Sequence, residues 1–185
     1  MLRKYEVIVS LAVYLLIPGA RAEDKFTALT RHIGDRLMVI VPTLALGKTI
    51  YENDSEGIPY YLYSFLVTNL GTVALQFLIP ERKPNGDSMK SFPSGHASAA
   101  FSGATYVHFR YSLEEAKWLY LAASFVAFSR VQAGCHHLHD VLASAALSFL
   151  SSYLLVKNKN PSSPVYSLGY RPESGEMFFN LSWRF

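Results

Sequence analysis

Cysteine is nearly absent from this chain of 185 residues, in which Cys135 is the single representative. An intramolecular disulfide is therefore excluded, and packing must hold the fold together. Charged residues are also scarce, at 17% of the sequence, and the lysines and arginines are scattered along it. A net charge of only +3 without a basic cluster argues against a nucleic-acid partner.

Apolar residues, by contrast, make up half of the sequence, which is ample material for the core of one domain. The stretch from Pro59 to Pro80 contains no charged residue. It is long enough to cross a bilayer as a helix. The composition therefore indicates a helical protein that works at or in a membrane.

The first 22 residues have the pattern of a secretory signal peptide. Arg3 and Lys4 precede an apolar run from Val7 to Ile17, and Ala20-Arg21-Ala22 follows as a small-residue cleavage site. The alternative is an uncleaved first span, but the apolar run is shorter than the ~20 residues that a span needs. We expect cleavage after Ala22.

Hydrophobic periodicity and turn signals divide residues 23–158 into helices. The sequence predicts an all-α bundle of about five to six helices, with an active site at one end. The "SLEE" at Ser112 to Glu115 is a capping box that begins one of them. The predicted helices cover residues 23–35, 37–51, 59–80, 94–110, 112–134 and 140–156.

Residues 159–185 form a C-terminal tail of different character. Phe179, Leu181, Trp183 and Phe185 alternate with polar or basic residues, which is the period of a strand. We expect a short β-hairpin or an extended segment lying on the bundle.

The helix order brings polar side chains together if consecutive helices pack as antiparallel neighbours. One end of the bundle, the predicted active end, then carries Arg82, Lys83, Ser94, His96, Arg130, His136 and Asp140. The opposite end carries Arg110, Glu114 and Lys157.

The start of the helix at Ser94 is suited to bind an anion. Unpaired N–H groups and the partial positive charge of a helix N-terminus attract phosphate. Gly95 lets an anion approach the backbone, and Ser94 can cap the helix or donate to the anion. His96 then lies within reach of the group that carries the phosphate.

A second cluster follows in "SRVQAGCHHLHDV", residues 129–141. Arg130 offers a fork of donors that matches phosphate oxygens. His136 and Asp140 are four residues apart and thus neighbours on a helix. A carboxylate on one ring nitrogen would fix the tautomer of His136 and leave the other nitrogen as a nucleophile.

Together, "PSGH" and the series Ser-Arg, five residues, His, three residues and Asp resemble the type 2 phosphatidic acid phosphatase family. That family includes lipid phosphatases, bacterial class A acid phosphatases and vanadium haloperoxidases. The resemblance implies a helical bundle over residues 37–156 and phosphatase chemistry without a metal. It implies that His136 is the nucleophile, that His96 protonates the leaving oxygen and that Asp140 orients His136. The residues implied to hold the phosphoryl group are Arg130, Ser94 and Gly95.

The first motif of the family, Lys, six residues, Arg-Pro, is altered in this chain. Gln76 stands at the Lys position and Lys83 at the Arg position, before Pro84. Lys83 keeps the charge but lacks the bidentate fork of arginine, and Arg82 is a candidate to compensate. We expect Lys83 and Arg82 to bind substrate in a weakened or narrowed phosphatase.

The run "HHLHD" raises a different possibility, a zinc site. Histidines and a carboxylate at such spacing can ligate zinc. Arg130 and the phosphate-binding helix start would repel a cation, however. The sequence therefore predicts neither a metal nor any other cofactor.

The expected function is hydrolysis of a phosphate ester or pyrophosphate in the bacterial cell envelope, with a lipid phosphate as the favoured substrate. The expected location is the inner membrane, with the active site facing the periplasm. The alternatives are a soluble periplasmic acid phosphatase acting on small phosphate esters, a vanadium haloperoxidase and a non-catalytic lipid-phosphate binder.

Overall fold

The computed structural model describes residues 25–159, 165–171 and 176–182. The predicted signal peptide lies outside these residues. The described part holds five helices: α1 Lys25–Tyr51, α2 Gly57–Leu78, α3 Gly95–Arg110, α4 Leu113–Gln132 and α5 Leu138–Leu155. Two strands follow, β1 Val165–Arg171 and β2 Glu176–Ser182, which pair as an antiparallel hairpin with Val165 opposite Ser182. The predicted all-α bundle with a short C-terminal hairpin is confirmed.

Helix α1 is longer than the sequence predicted. Residues 23–35 and 37–51 were expected as separate helices, but one helix runs from Lys25 to Tyr51 and passes through Pro42. The change from polar to apolar residues near Asp35 therefore does not mark the end of a helix. Pro42 is buried, and its carbonyl accepts a hydrogen bond of 2.9 Å from the Tyr61 hydroxyl of α2. This bond joins α1 to α2 where the proline interrupts the hydrogen bonds of α1.

Helix α3 is the centre of the bundle and packs against each of the other four helices. Its small residues allow this close approach. At Gly103, a Cβ atom would lie only 2.8 Å from the Pro42 Cα atom of α1. Glycine is therefore required where the backbones of α1 and α3 meet.

The interior is lined by small hydroxyl residues, whereas large apolar side chains point outward. Hydroxyl groups join α3 to its neighbours: Thr72 of α2 donates to Ser98 at 2.7 Å, and Ser144 of α5 donates to the Ser94 carbonyl at 2.9 Å. Fully or almost fully buried hydroxyl residues include Thr49, Ser64, Thr68, Thr72, Ser98, Ser102, Thr105, Ser144, Ser148 and Ser152. The apolar exterior includes Leu66, Leu70, Phe77, Leu142, Leu150 and Leu154.

Serine caps begin α3 and α4, as the sequence indicated. The Ser94 hydroxyl accepts from the Ala97 N–H, and the Ser112 hydroxyl accepts from the Glu115 N–H at 3.2 Å. These bonds satisfy N–H groups that have no partner within their own helix. The serine half of the predicted capping box at Ser112 is therefore present, whereas the Glu115 carboxylate accepts from the Ser112 hydroxyl at 3.4 Å and not from its N–H.

A buried ion pair closes the end of the bundle that lies opposite to the predicted active end. Arg110 donates through Nε to Asp54 Oδ2 at 2.7 Å and through Nη2 to Asp54 Oδ1 at 2.5 Å. Tyr111 adds a hydrogen bond of 3.0 Å to the same carboxylate. The Arg110 guanidinium holds the pKa of Asp54 below its usual value. This network connects the loop after α1 to the end of α3.

The contact between Gly103 and Pro42 can be tested by a pair of glycine substitutions. Gly103→Ala should separate α1 from α3 and lower the thermal stability of the purified protein by several degrees, because neither backbone can yield easily. Gly47→Ala is the control, since a Cβ at Gly47 meets nothing within 4 Å. It should leave stability unchanged or raise it, because alanine favours the helix by about 1 kcal/mol. Equal melting temperatures for the two variants would contradict the packing argument.

Candidate active site

His136 lies in the loop between α4 and α5 and is buried, with 5% of its area exposed. The loop is closed by hydrogen bonds from the Cys135 and His136 N–H groups to the Arg130 carbonyl. Gly134 has a φ of +64°, a conformation that glycine adopts without strain. The sequence therefore uses glycine where the chain must turn to present His136.

The ring of His136 is oriented by a backbone carbonyl. Its Nδ1 lies 2.9 Å from the Ser91 carbonyl oxygen and 3.5 Å from Asp140 Oδ2. A carbonyl only accepts hydrogen bonds, so Nδ1 carries the proton and Nε2 of the neutral ring keeps its lone pair. The tautomer that a nucleophilic His136 requires is thus the one that the fold favours.

Asp140 is completely buried in the first turn of α5. Its Oδ2 accepts from the Ser91 hydroxyl at 2.6 Å and from the His137 N–H at 2.7 Å. The carboxylate therefore holds Ser91, and through the Ser91 carbonyl it helps to position the ring of His136. Sequence analysis missed Ser91, because its contribution comes partly from its backbone.

The start of α3 lies at the same end of the bundle as His136. The Ser94 N–H donates to the Asp140 carbonyl at 3.3 Å, which joins the two helix starts. Gln76 donates through Nε2 to the Pro93 carbonyl at 2.8 Å. A Cβ added at Gly95 would come no closer than 4.0 Å to Gln76 Nε2, so the approach to this helix start is open.

His96 and Arg130 meet at the carboxylate of Asp35 in α1. Asp35 Oδ1 lies 3.2 Å from His96 Nε2 and 2.8 Å from Arg130 Nη1. Arg130 is buried and also donates from Nη2 to the Arg31 carbonyl at 2.8 Å. Asp35 was not among the predicted residues, because it pairs with partners 61 and 95 positions away in the chain.

The charges around His96 act on its protonation. Burial lowers the pKa of His96, and the positive charge of Arg130 lowers it further, whereas Asp35 raises it. Lys83 and His136 make smaller contributions that also lower the pKa. A negatively charged phosphate at this position would favour the protonated ring.

Lys83 and Arg82 occupy the loop that follows α2. Lys83 is half-buried and close enough for its charge to influence His96. Arg82 is exposed, and its guanidinium lies beside Gly86 of the same loop, 3.4 Å from where a Cβ would stand. Lys83 therefore faces the histidines, whereas Arg82 lies along its own loop.

More than half of the chain matches the sequence pattern of a known family. The sequence pattern described as the PAP2 superfamily matches residues 53–163, which include helices α2 to α5. The chain belongs to the PAP2 superfamily. The matched region contains every predicted site residue, whereas Asp35 lies before it.

Two other proteins are similar in sequence to parts of this chain. A lipid A 1-phosphatase from Porphyromonas gingivalis is 38% identical over 72 residues, which are 37% of this chain and 16% of the relative. A lipid A 4'-phosphatase from Helicobacter pylori is 32% identical over 80 residues, which are 43% of this chain and 40% of the relative. The matches thus span less than half of either relative.

The fold of a solved protein is also similar. The crystal structure of Aquifex aeolicus LpxE superposes with a TM-score of 0.51 at 20% sequence identity. The likeness covers 70% of this chain and 93% of the other. At this identity the likeness concerns the fold.

Asp35 accepts contacts from His96 and Arg130, the donors that an incoming phosphate would need. The effect of its negative charge can therefore be tested by measuring how tightly phosphate binds. Asp35→Asn keeps an acceptor for Arg130 but removes a negative charge. We expect inorganic phosphate to bind roughly three- to ten-fold more tightly, since repulsion between charges ~4 Å apart is worth about 1 kcal/mol or more. Isothermal titration calorimetry on the purified protein measures the change.

The control for this experiment is Glu114→Gln. It changes the net charge equally but lies exposed at the opposite end of the bundle. Phosphate affinity that rises equally in both variants, or in neither, would contradict a specific competition at Arg130.

Proposed function

We propose that this PAP2 protein is a phosphatase that hydrolyses a phosphate ester of a membrane lipid through a phosphohistidine intermediate. The observation that carries the proposal is the hydrogen bond between His136 Nδ1 and the Ser91 carbonyl. It leaves Nε2 as a free nucleophile. His96, Arg130 and the start of α3 lie around the same end of the bundle.

In the first step, His136 Nε2 attacks the phosphorus atom and forms a P–N bond, while the P–O bond to the lipid breaks. The phosphoryl oxygens are bound by Arg130, by the Ser94 hydroxyl and by the Gly95 N–H. Protonated His96 gives its proton to the leaving oxygen, which departs as an alcohol. The negative charge of Asp140, 3.5 Å from His136 Nδ1, stabilises the positive charge that develops on the ring.

In the second step, water attacks the phosphorus of the phosphohistidine. Neutral His96 takes a proton from this water, the P–N bond breaks and its electron pair returns to His136 Nε2. Inorganic phosphate leaves with His96 protonated again. Because burial and Arg130 lower the pKa of His96, its acid form becomes abundant, before substrate binds, only when the pH falls below the usual titration range of histidine.

The substrate class is proposed from the relatives and from the bundle surface. Both curated relatives carry names that specify lipid A as their substrate, one at the 1-position and one at the 4'-position. A glycolipid anchored in a membrane would present its phosphate at the end of an apolar bundle. We therefore propose a lipid A phosphate as the leading substrate.

The catalytic assignment predicts that His136→Ala abolishes phosphate release, because no other group in the proposed mechanism replaces the attacking nitrogen. His96→Ala should lower kcat by about 10²–10⁴-fold, the usual contribution of a general acid. Phosphate release would be measured with lipid A carrying a single phosphate at the 1- or the 4'-position. Phosphatidic acid, phosphatidylglycerophosphate, a polyprenyl pyrophosphate and a soluble aryl phosphate complete the panel.

His32→Ala is the matched control, because His32 is an exposed histidine on α1. Its activity should equal that of the wild type. Turnover that survives in His136→Ala would refute the phosphohistidine mechanism, and a preference for the soluble ester would refute the lipid substrate.

The exposed apolar surface supports a location in the membrane. Helices α2 and α5 are long and apolar enough to cross a bilayer, and 22% and 33% of their most apolar windows are buried within the bundle. The rest of each window faces outward, which is costly in water. Lys157 and Lys159 follow α5 at the end opposite to His136, as expected for a cytoplasmic end. We therefore propose an inner-membrane protein whose active end faces the periplasm.

This orientation predicts which end of the protein an impermeant reagent can reach. In a Cys135→Ser background, Asp87→Cys places a thiol at the active end and Glu114→Cys places one at the other end, both at exposed positions. A membrane-impermeant maleimide should label Asp87→Cys in cells with a permeabilised outer membrane, and Glu114→Cys only after lysis. The reverse pattern would refute the orientation, and release of the protein by alkaline carbonate would refute membrane integration.

A further inference from the structure

A second polar cluster lies beside the catalytic residues, where the chain leaves α2 and enters α5. It consists of Glu81, His137, His139 and Asp140, and one donor atom from each lies within 4.8 Å of all the others. His139 Nε2 is 2.8 Å from Glu81 Oε1, and His137 Nδ1 is 3.2 Å from the same oxygen. None of the proposed catalytic steps uses the two histidines or Glu81.

The distances in this cluster suit four ligands around one metal ion. Zinc binds histidine nitrogen and carboxylate oxygen at about 2.0–2.2 Å, so tetrahedral ligand atoms lie roughly 3.3–3.6 Å apart. His139 Nε2 is 3.2 Å from Asp140 Oδ1, and His137 Nδ1 is 3.4 Å from Asp140 Oδ2. Metal binding would draw the four donor atoms, which lie within 4.8 Å of one another, together to these separations.

An unsatisfied carboxylate oxygen provides an independent observation. Within residues 25–159, Asp140 Oδ1 and His137 Nδ1 are buried atoms whose contacts in the cluster, 3.2 Å to His139 Nε2 and 3.2 Å to Glu81 Oε1 respectively, lack hydrogen-bond geometry. The Asp140 side chain is fully buried, and its other oxygen is already bonded to Ser91 and to the His137 N–H. A buried polar atom without a partner calls for a specific explanation. A cation between the two atoms would satisfy both.

The electrostatics of the cluster favour a cation, contrary to the expectation from sequence. Repulsion by Arg130 was the argument against a metal, but that guanidinium is bonded to Asp35 and to the Arg31 carbonyl. The cluster itself contributes two carboxylates, Glu81 and Asp140. Local sequence gives no sign that Glu81 joins this cluster, because Glu81 is 58 residues away from His139 in the chain.

We propose that Glu81, His137, His139 and Asp140 form a binding site for one divalent transition metal ion of the zinc class. The site would connect the loop after α2 to the first turn of α5. Glu81 also bonds through its carbonyl to the Ser91 N–H at 3.0 Å, so a metal would fix the segment that positions His136. Asp140 would use one oxygen for the metal and the other for Ser91. The metal takes no part in the bond-making steps.

Cobalt(II) is the probe for this site, because its visible spectrum reports tetrahedral coordination. The full chain would be purified without a polyhistidine tag, treated with a chelator, desalted and titrated with Co²⁺. We expect one Co²⁺ per chain with intense visible absorption, displacement by Zn²⁺ and a higher melting temperature with metal bound.

Variants of two proposed ligands, with one control, test where the metal binds. Glu81→Gln and His139→Ala, which replace groups outside the proposed catalytic machinery, should weaken Co²⁺ binding at least about ten-fold. His32→Ala should bind as the wild type does. Circular dichroism verifies that each variant is folded, and His139→Ala is expected to fold because this side chain is 57% exposed.

Absence of stoichiometric Co²⁺ binding to the wild type, or unchanged binding by folded His139→Ala, would overturn the proposal. Phosphate release by the chelator-treated protein tests the proposed function separately. The two proposals can therefore fail independently of each other.

Discussion

The buried carboxylate of Asp140 is the group on which the active end depends. Through Oδ2 it binds the Ser91 hydroxyl and the His137 N–H, and through its own carbonyl it accepts from the Ser94 N–H. It therefore joins the start of α5 to the segment that leads into α3. A buried carboxylate is costly unless several donors surround it, so the same bonds that position His136 also make the burial possible.

The bundle around this site has its small polar residues inside and its large apolar residues outside. Where backbones pack closely, as at Gly103 and Pro42, the interior holds mostly serine, threonine and alanine, although larger side chains such as Tyr106 and Val107 are also fully buried. The functional groups are consequently confined to the ends of the helices, where loops supply space and charge. This explains why the proposed catalytic groups lie at one end and the Asp54–Arg110 pair lies at the other.

Sequence reasoning succeeded where information is local. The cap at Ser94 and the glycine beside it are encoded within one turn of helix, whereas His136 precedes α5 and approaches Asp140 from the loop and not as a neighbour on a helix. Contacts between distant segments could not be predicted in this way. Asp35 reaches Arg130 across 95 residues, and the carbonyl of Ser91, which orients His136, has no signature in side-chain identity. The predicted break near residue 36 was also wrong, because α1 runs from Lys25 to Tyr51 although its composition changes there.

The hydroxyl groups between α3 and α5 have one further consequence. Ser144 donates to the Asp140 carbonyl of its own helix as well as to Ser94, and Ser148 donates to the Ser144 carbonyl as well as to Ser98. Each hydroxyl thus has a partner even before the two helices meet. In the proposed membrane location, a single helix would enter the lipid with these hydroxyl donors already bonded, so insertion and assembly would be successive events.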